Sequence, residues 1–261
     1  MHFRLLRTLQ PVLLLPLFLA VGLVLTACDS TGSNDEPVTA QLRFMHASAD
    51  AGNLTVLAGG EEVITGVTFN RRPNVNPTVT RPLDVPIAGA IEIRNDAGDL
   101  LATINGAQFE AGEPFLVILA GGIAAGEETG RETPQVFVLR DDLPEVASDE
   151  VGLRLVHAAA GAPAIDVFWV APGEEPTGEN QLASGVPFSE TLPAAPRGSF
   201  DVRPVPGEGR ILTVPTAAGP LQLPVGTEGG GALSPGRIIT AVAIDTEPGA
   251  GFPVAALVLV D

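Results

Sequence analysis

One cysteine and three histidines are the side chains through which this 261-residue chain would do thiolate or imidazole chemistry. His46 and His157 stand 111 positions apart in matching contexts, Leu42-Arg-Phe-Met-His46-Ala and Leu153-Arg-Leu-Val-His157-Ala, while His2 lies in an apolar leader. Neither has a second histidine or a cysteine close by, so local spacing does not assemble the three or four ligands of a zinc site. Alternation puts each on the face of its neighbouring leucine or phenylalanine. There an imidazole satisfies buried backbone groups at a strand end. Both are therefore expected to be structural residues of a repeat. Hydrolase templates are absent: no Gly-x-Ser-x-Gly, no His-Glu-x-x-His and no Ser-x-x-Lys occurs. Without a nucleophile–base pair, the expectation is a non-enzyme with no catalytic residue, no cofactor and no metal site.

Two other patterns invite chemistry. Trp169 is the only tryptophan and there is no tyrosine. In Ile165-Asp-Val-Phe-Trp-Val170, alternation groups Trp169 with Ile165 and Val167, and Phe168 with Asp166. One aromatic is then partly exposed, which makes Trp169, Phe168 and Asp166 the candidate ligand contacts. Acidic clusters at Glu127/Glu128/Glu132, Asp141/Asp142/Glu145 and Glu174/Glu175/Glu179 lack the Asp-x-Asp-x-Asp-Gly spacing of a calcium loop. The glycine-rich run Gly226–Gly236 lacks the Lys-Ser/Thr end of a phosphate cradle, and Glu228 within it would repel phosphate. It is read as an inter-strand loop.

Cys28 has a different context. Arg4 and Arg7 precede an apolar run from Leu9 to Val24, and the segment ends in Leu25-Thr-Ala-Cys28. This arrangement resembles a bacterial lipoprotein signal peptide, residues 1–27, with Cys28 as the lipidated residue. Pro11 and Pro16 interrupt the apolar run and polar residues follow at once, which argues against a membrane-spanning helix. Diacylglyceryl plus N-acyl modification would hold the chain stably on a membrane, because two or more chains anchor where one does not. Residues 28–37 are small, polar and acidic and read as a flexible tether. The expected location is extracytoplasmic, on the outer membrane or cell surface.

Charge narrows the partners. The formal net charge is −17, with 31 Asp and Glu against 14 Lys and Arg, every one of the 14 being arginine. Nucleic acid is excluded as a partner, since binding it rests on neutralising phosphates. An envelope protein or a glycan remains.

The elements that must position these residues are strands. Leu42, Phe44 and His46 alternate with Arg43 and Met45, and Ile91 and Ile93 alternate with Glu92 and Arg94. Asn95-Asp-Ala-Gly98 supplies a hairpin turn with glycine where φ is positive; Pro204–Gly209 is taken as its counterpart. Further matches extend the repeat: Thr65-Gly-Val-Thr-Phe69 with Ser184-Gly-Val-Pro-Phe188, Ile91–Arg94 with Phe200–Arg203, and Leu100-Leu101 with Ile211-Leu212. Each half ends in an apolar strand and an acid, Val136–Asp141 and Ala255–Asp261. The expected fold is all-β: two tandem antiparallel β-sandwich (immunoglobulin-like) domains, 38–142 and 151–261, joined by a linker at 143–150.

The two Leu-Arg-x-x-His-Ala starts, with Ala164-Ile-Asp-Val-Phe168, resemble the bacterial domain of unknown function 4397. The resemblance implies extracytoplasmic, commonly duplicated β domains, often lipid-anchored, and no enzymatic activity. The first half departs from the pattern, with Thr55 where the second has Asp166. The function expected is display of two β domains for adhesion, envelope structure or protein docking; the alternative is a carbohydrate- or small-ligand-binding accessory protein.

Overall fold

The runs Phe115–Leu119 and Ile238–Ile244 are mostly apolar at successive positions rather than at alternate ones. A strand of that kind needs cover on both faces, and the fold provides it. The computed structural model describes residues 38–69, 78–123, 132–194, 199–205, 210–214, 221–225, 234–245 and 254–261. The leader with Cys28, the tether, Glu127 and Glu128, and most of the Gly226–Gly236 run lie outside them.

The first half contains β1 (Thr39–His46), β2 (Leu54–Ala58), β3 (Glu61–Val67), β4 (Thr78–Asp84), β5 (Ala90–Asn95), β6 (Leu100–Asn105), β7 (Pro114–Ala120) and β8 (Gln135–Arg140). The second contains β9 (Glu150–His157), β10 (Ile165–Val170), β11 (Gln181–Val186), β12 (Thr191–Leu192), β13 (Asp201–Pro204), β14 (Arg210–Val214), β15 (Leu221–Val225), β16 (Arg237–Asp245) and β17 (Val254–Val260). In the first half, an outer sheet of order β3-β2-β5-β6 faces an inner sheet β4-β1-β7-β8. The second half has an outer sheet β11-β10-β14-β15 and an inner sheet β12-β9-β16-β17, with β13 also paired to β9. Among the described residues all pairings are antiparallel except β1 with β7 and β9 with β16, one in each inner sheet.

Three apolar layers separate the four sheets. Leu42, Phe44, Leu54, Ile91, Ile93, Val117 and Leu119 fill the first sandwich. Leu155, Ile165, Val167, Leu212, Ala241 and Ala243 fill the second. Between the inner sheets, Met45, Leu116, Ile118, Phe137 and Leu139 pack with Val156, Val242, Ile244, Leu257 and Leu259. That third layer explains the uninterrupted runs. It also accounts for Arg43, which alternates with Leu42 and Phe44 along β1. The side chain shares its face with Met45 and meets the other half.

The repeated Thr65-Gly-Val and Ser184-Gly-Val motifs have a local cause. Gly66 and Gly185 take φ of 67° and 63°, where a β-carbon is disfavoured. Register shifts occur at matching places, between Leu54 and Leu57 against β3 and between Ile165 and Phe168 against β11. A glycine with positive φ at a bulge re-aims the strand.

Two of the sequence matches are corrected by the topology. Ile91–Arg94 lies in β5, paired with β2 and β6, whereas Asp201–Arg203 lies in β13, paired with β9. Leu100-Leu101 opens β6, but Ile211-Leu212 lies in β14, which takes the place of β5 beside β10. The similarity of short alternating segments had displaced the alignment by one strand. The Asn95–Gly98 turn does close the β5–β6 hairpin, with Gly98 at φ 87°. Its supposed counterpart, Pro204–Gly209, falls largely outside the described residues, and the strands flanking it belong to different sheets.

Candidate functional site

Each repeat histidine closes the loop that leaves its strand. His46 Nδ1 accepts from the Ser48 N–H at 3.2 Å, so Nε2 carries the proton and donates to the Gly52 carbonyl at 2.8 Å. His157 Nε2 faces the Pro163 carbonyl at 3.0 Å, and its Nδ1 is buried without a partner. Against these imidazoles stand Phe69 and Phe188, with ring centroids 5.8 and 6.3 Å away.

Burial holds both pKa values below the ordinary histidine range, against the upward pull of the loop carbonyls and of Asp50 or Asp245. An imidazole with a lowered folded-state pKa leaves the unfolded chain holding more protons below the unfolded value. Stability should therefore fall as pH drops through about 6.5. Urea melts between pH 7.5 and 5.5 check this, and His46→Gln with His157→Gln should flatten the slope.

A reciprocal set of charges crosses between the inner sheets. Arg43 of β1 binds Asp261, Nη1 to Oδ1 at 2.7 Å, and also Asp141, Nη2 to Oδ2 at 2.8 Å. Arg154 of β9 binds Asp141, Nη2 to Oδ1 at 2.6 Å. Its Nε donates to Thr240 Oγ1 at 3.1 Å, its Nη1 to the Arg140 carbonyl at 3.0 Å, and its guanidinium carbon lies 4.3 Å from the Phe200 ring centre. Burial works against the charge on Arg154 and adjacent Asp141 sustains it. Each arginine thus meets the acid that ends the opposite half. Sequence reasoning had noted both arginines and both closing acids at matching positions, without the topology that joins them.

The candidate ligand contacts do not converge. Phe168 is buried on β10. Asp166 Oδ1 accepts from the Gly185 N–H at 2.8 Å, which braces the bulge of β11. His157 and Asp166 bond separately, to the Pro163 carbonyl and the Gly185 amide.

Trp169 alone reaches a cleft. Its indole packs partly on both apolar clusters of the second sandwich. Beside it opens a volume of about 330 Å³, lined also by Glu174, Glu179, Asn180, Gln181, Leu182 and Arg203. The cleft lies where β10 and β11 of the outer sheet approach β13 of the inner one. Glu174 and Glu179 belong to one of the acidic clusters that lack the spacing of a calcium loop. Gln181 carried no sequence signal, and Arg203 entered only through the Phe200–Arg203 match that the topology corrects.

Residues 40–168 match the family model of a domain of unknown function, DUF4397. The match begins in β1 and ends in β10. No curated protein matches the sequence. Among solved structures the chain is similar to the tip fimbrial protein Mfa3 from Porphyromonas gingivalis with C-terminal truncation. Identity is 8%, the coverage is 85% of this chain and 98% of that one, and the TM-score is 0.24.

Proposed function

We propose that the chain is a non-catalytic, lipid-anchored envelope protein whose two duplicated β units are displayed for adhesion, envelope structure or docking of another surface protein. The observation that carries this reading is the N-terminal segment. A basic start and an apolar run lead to Leu25-Thr-Ala-Cys28, and the sole cysteine stands where lipidation needs it. The duplication is supported by strand order, because β4-β1-β7-β8 corresponds to β12/β13-β9-β16-β17 and β3-β2-β5-β6 to β11-β10-β14-β15.

Display asks little of reactive groups and much of rigidity. Three packed apolar layers and the buried Arg–Asp set provide rigidity among the described residues. The unpaired edges of the outer sheets, β3, β6, β11 and β15, are the surfaces on which a partner strand can add. Cross-linking on intact cells, followed by capture of the tagged protein, tests the role. Recovery of an envelope protein bound through these edges is the expected result. Recovery of cytoplasmic proteins alone would contradict it.

A further inference from the structure

The two halves differ at one corresponding place, the hairpin between the second and third strands. In the first half, β2 ends at Ala58 and β3 begins at Glu61, so Gly59 and Gly60, with φ of 59° and 89°, make the whole turn. In the second half, β10 ends at Val170 and β11 begins at Gln181, leaving a connection over 171–180. Ala58 corresponds to Trp169 in the 111-residue offset. A small residue and a minimal turn are thus replaced by a tryptophan under a long loop. Loops longer than chain reversal requires are places where function resides.

That loop is braced from within. Glu174 Oε2 accepts from the Ala171 N–H at 2.9 Å. Asn180 Oδ1 accepts from the Thr177 N–H at 2.7 Å, and Asn180 Nδ2 donates to the Glu175 carbonyl at 3.1 Å. The Asn180 carbonyl in turn accepts from the Trp169 N–H at 2.8 Å, which ties the loop to the strand bearing the indole. A wall fixed in this way binds without the cost of ordering it.

We propose that the cleft beside Trp169 is a binding site for a neutral, hydroxyl-rich ligand, a mono- or disaccharide unit of a glycan, stacked on the indole. Its volume of about 330 Å³ falls at the small end of the ligand-pocket range of about 300–1,000 Å³. The chemistry of the rim selects the class. Glu174 and Glu179 repel an anion. Arg203, with Nε and Nη2 held by Asp201 at 2.6 Å, lines the cleft as a guanidinium donor for a hydroxyl. Among the described residues, Gln181 and Glu179 make no side-chain hydrogen bond, so an amide and a carboxylate stand ready for hydroxyl groups. A neutral ligand whose hydroxyls both donate and accept suits these groups, and its C–H face suits the indole. This goes beyond the display reading and does not depend on the anchor.

The full chain can be tested on an array of neutral oligosaccharides (cello-, manno-, malto- and chito-oligomers), with any hit titrated in solution. Trp169 is the only tryptophan and tyrosine is absent, so its emission reports the cleft alone. A saturable emission change is expected. Trp169→Ala should weaken binding about tenfold or more by calorimetry, from lost stacking and buried area. Gln181→Ala, outside the core, should weaken binding severalfold with an unchanged melting temperature, and it carries the test should the Trp169 variant not fold. The proposal is overturned if no neutral glycan binds above the Trp169→Ala background, if binding survives both substitutions, or if spermine alone shifts the emission.

Discussion

Replacing Asp141 with alanine lowers the unfolding free energy by roughly 3–5 kcal/mol, the range for removing one partner of a buried charge set. Its carboxylate is shared by Arg43 and Arg154, at 2.8 and 2.6 Å, and the Arg154 side chain has no solvent exposure. Without Asp141, two cations remain between the inner sheets, with Asp261 bound directly to Arg43. The cost arises from an uncompensated charge that has left water, more than from a lost hydrogen bond. Urea denaturation and thermal melting check it, with a fall in Tm on the order of 10 °C for a chain of this size. Glu113→Ala is the matched control. It removes a partner of Arg140, whose side chain is 47% exposed, and pairs of that kind are worth about 0–1 kcal/mol. Similar losses for the two variants would show that the Asp141 set is not buried in solution.

The second large effect concerns the halves themselves. Residues 38–142 expressed alone are expected to dimerise or aggregate rather than remain monomeric. Their inner sheet would expose Met45, Leu116, Ile118, Phe137 and Leu139, all buried against the second half. A contiguous apolar face of that extent is rare on soluble monomers. Light scattering after size-exclusion chromatography measures the outcome. A stable monomer of the first half, melting where the full chain does, would show that the third apolar layer contributes nothing to stability. Co-expression of 38–142 with 143–261 should instead recover a soluble pair, because each half covers the other.

These expectations also show how far the sequence could be read. Strand positions were legible because period-two patterns at Leu42–His46 and Ile91–Arg94 survive folding unchanged. The matching of motifs was legible at Leu42/Leu153 and Thr65/Ser184, where Gly66 and Gly185 both take positive φ. It misled at Ile91–Arg94, because short alternating segments resemble one another whichever sheet they join. The layer between the halves was hidden for a related reason. Alternation tells which residues share a face but not what covers the second face, so the cover over Arg43 and Met45 could not be read from it. Both arginines and both closing acids were visible as a recurring pattern, yet joining Arg43 to Asp261 requires the parallel pairings β1–β7 and β9–β16. For the cleft, Trp169 was found because it is unique. Gln181 and Arg203 were not, since they come to it from strands of two different sheets.

Membrane display depends on lipidation at Cys28, and one experiment tests it directly. Cells producing the wild-type chain or Cys28→Ser are grown with a labelled fatty acid, and the protein is recovered from membrane and soluble fractions. The wild type should carry the label and sediment with membranes, while Cys28→Ser should be unlabelled and lose membrane association. An unlabelled wild-type protein, found soluble in the cytoplasm, would contradict the proposal.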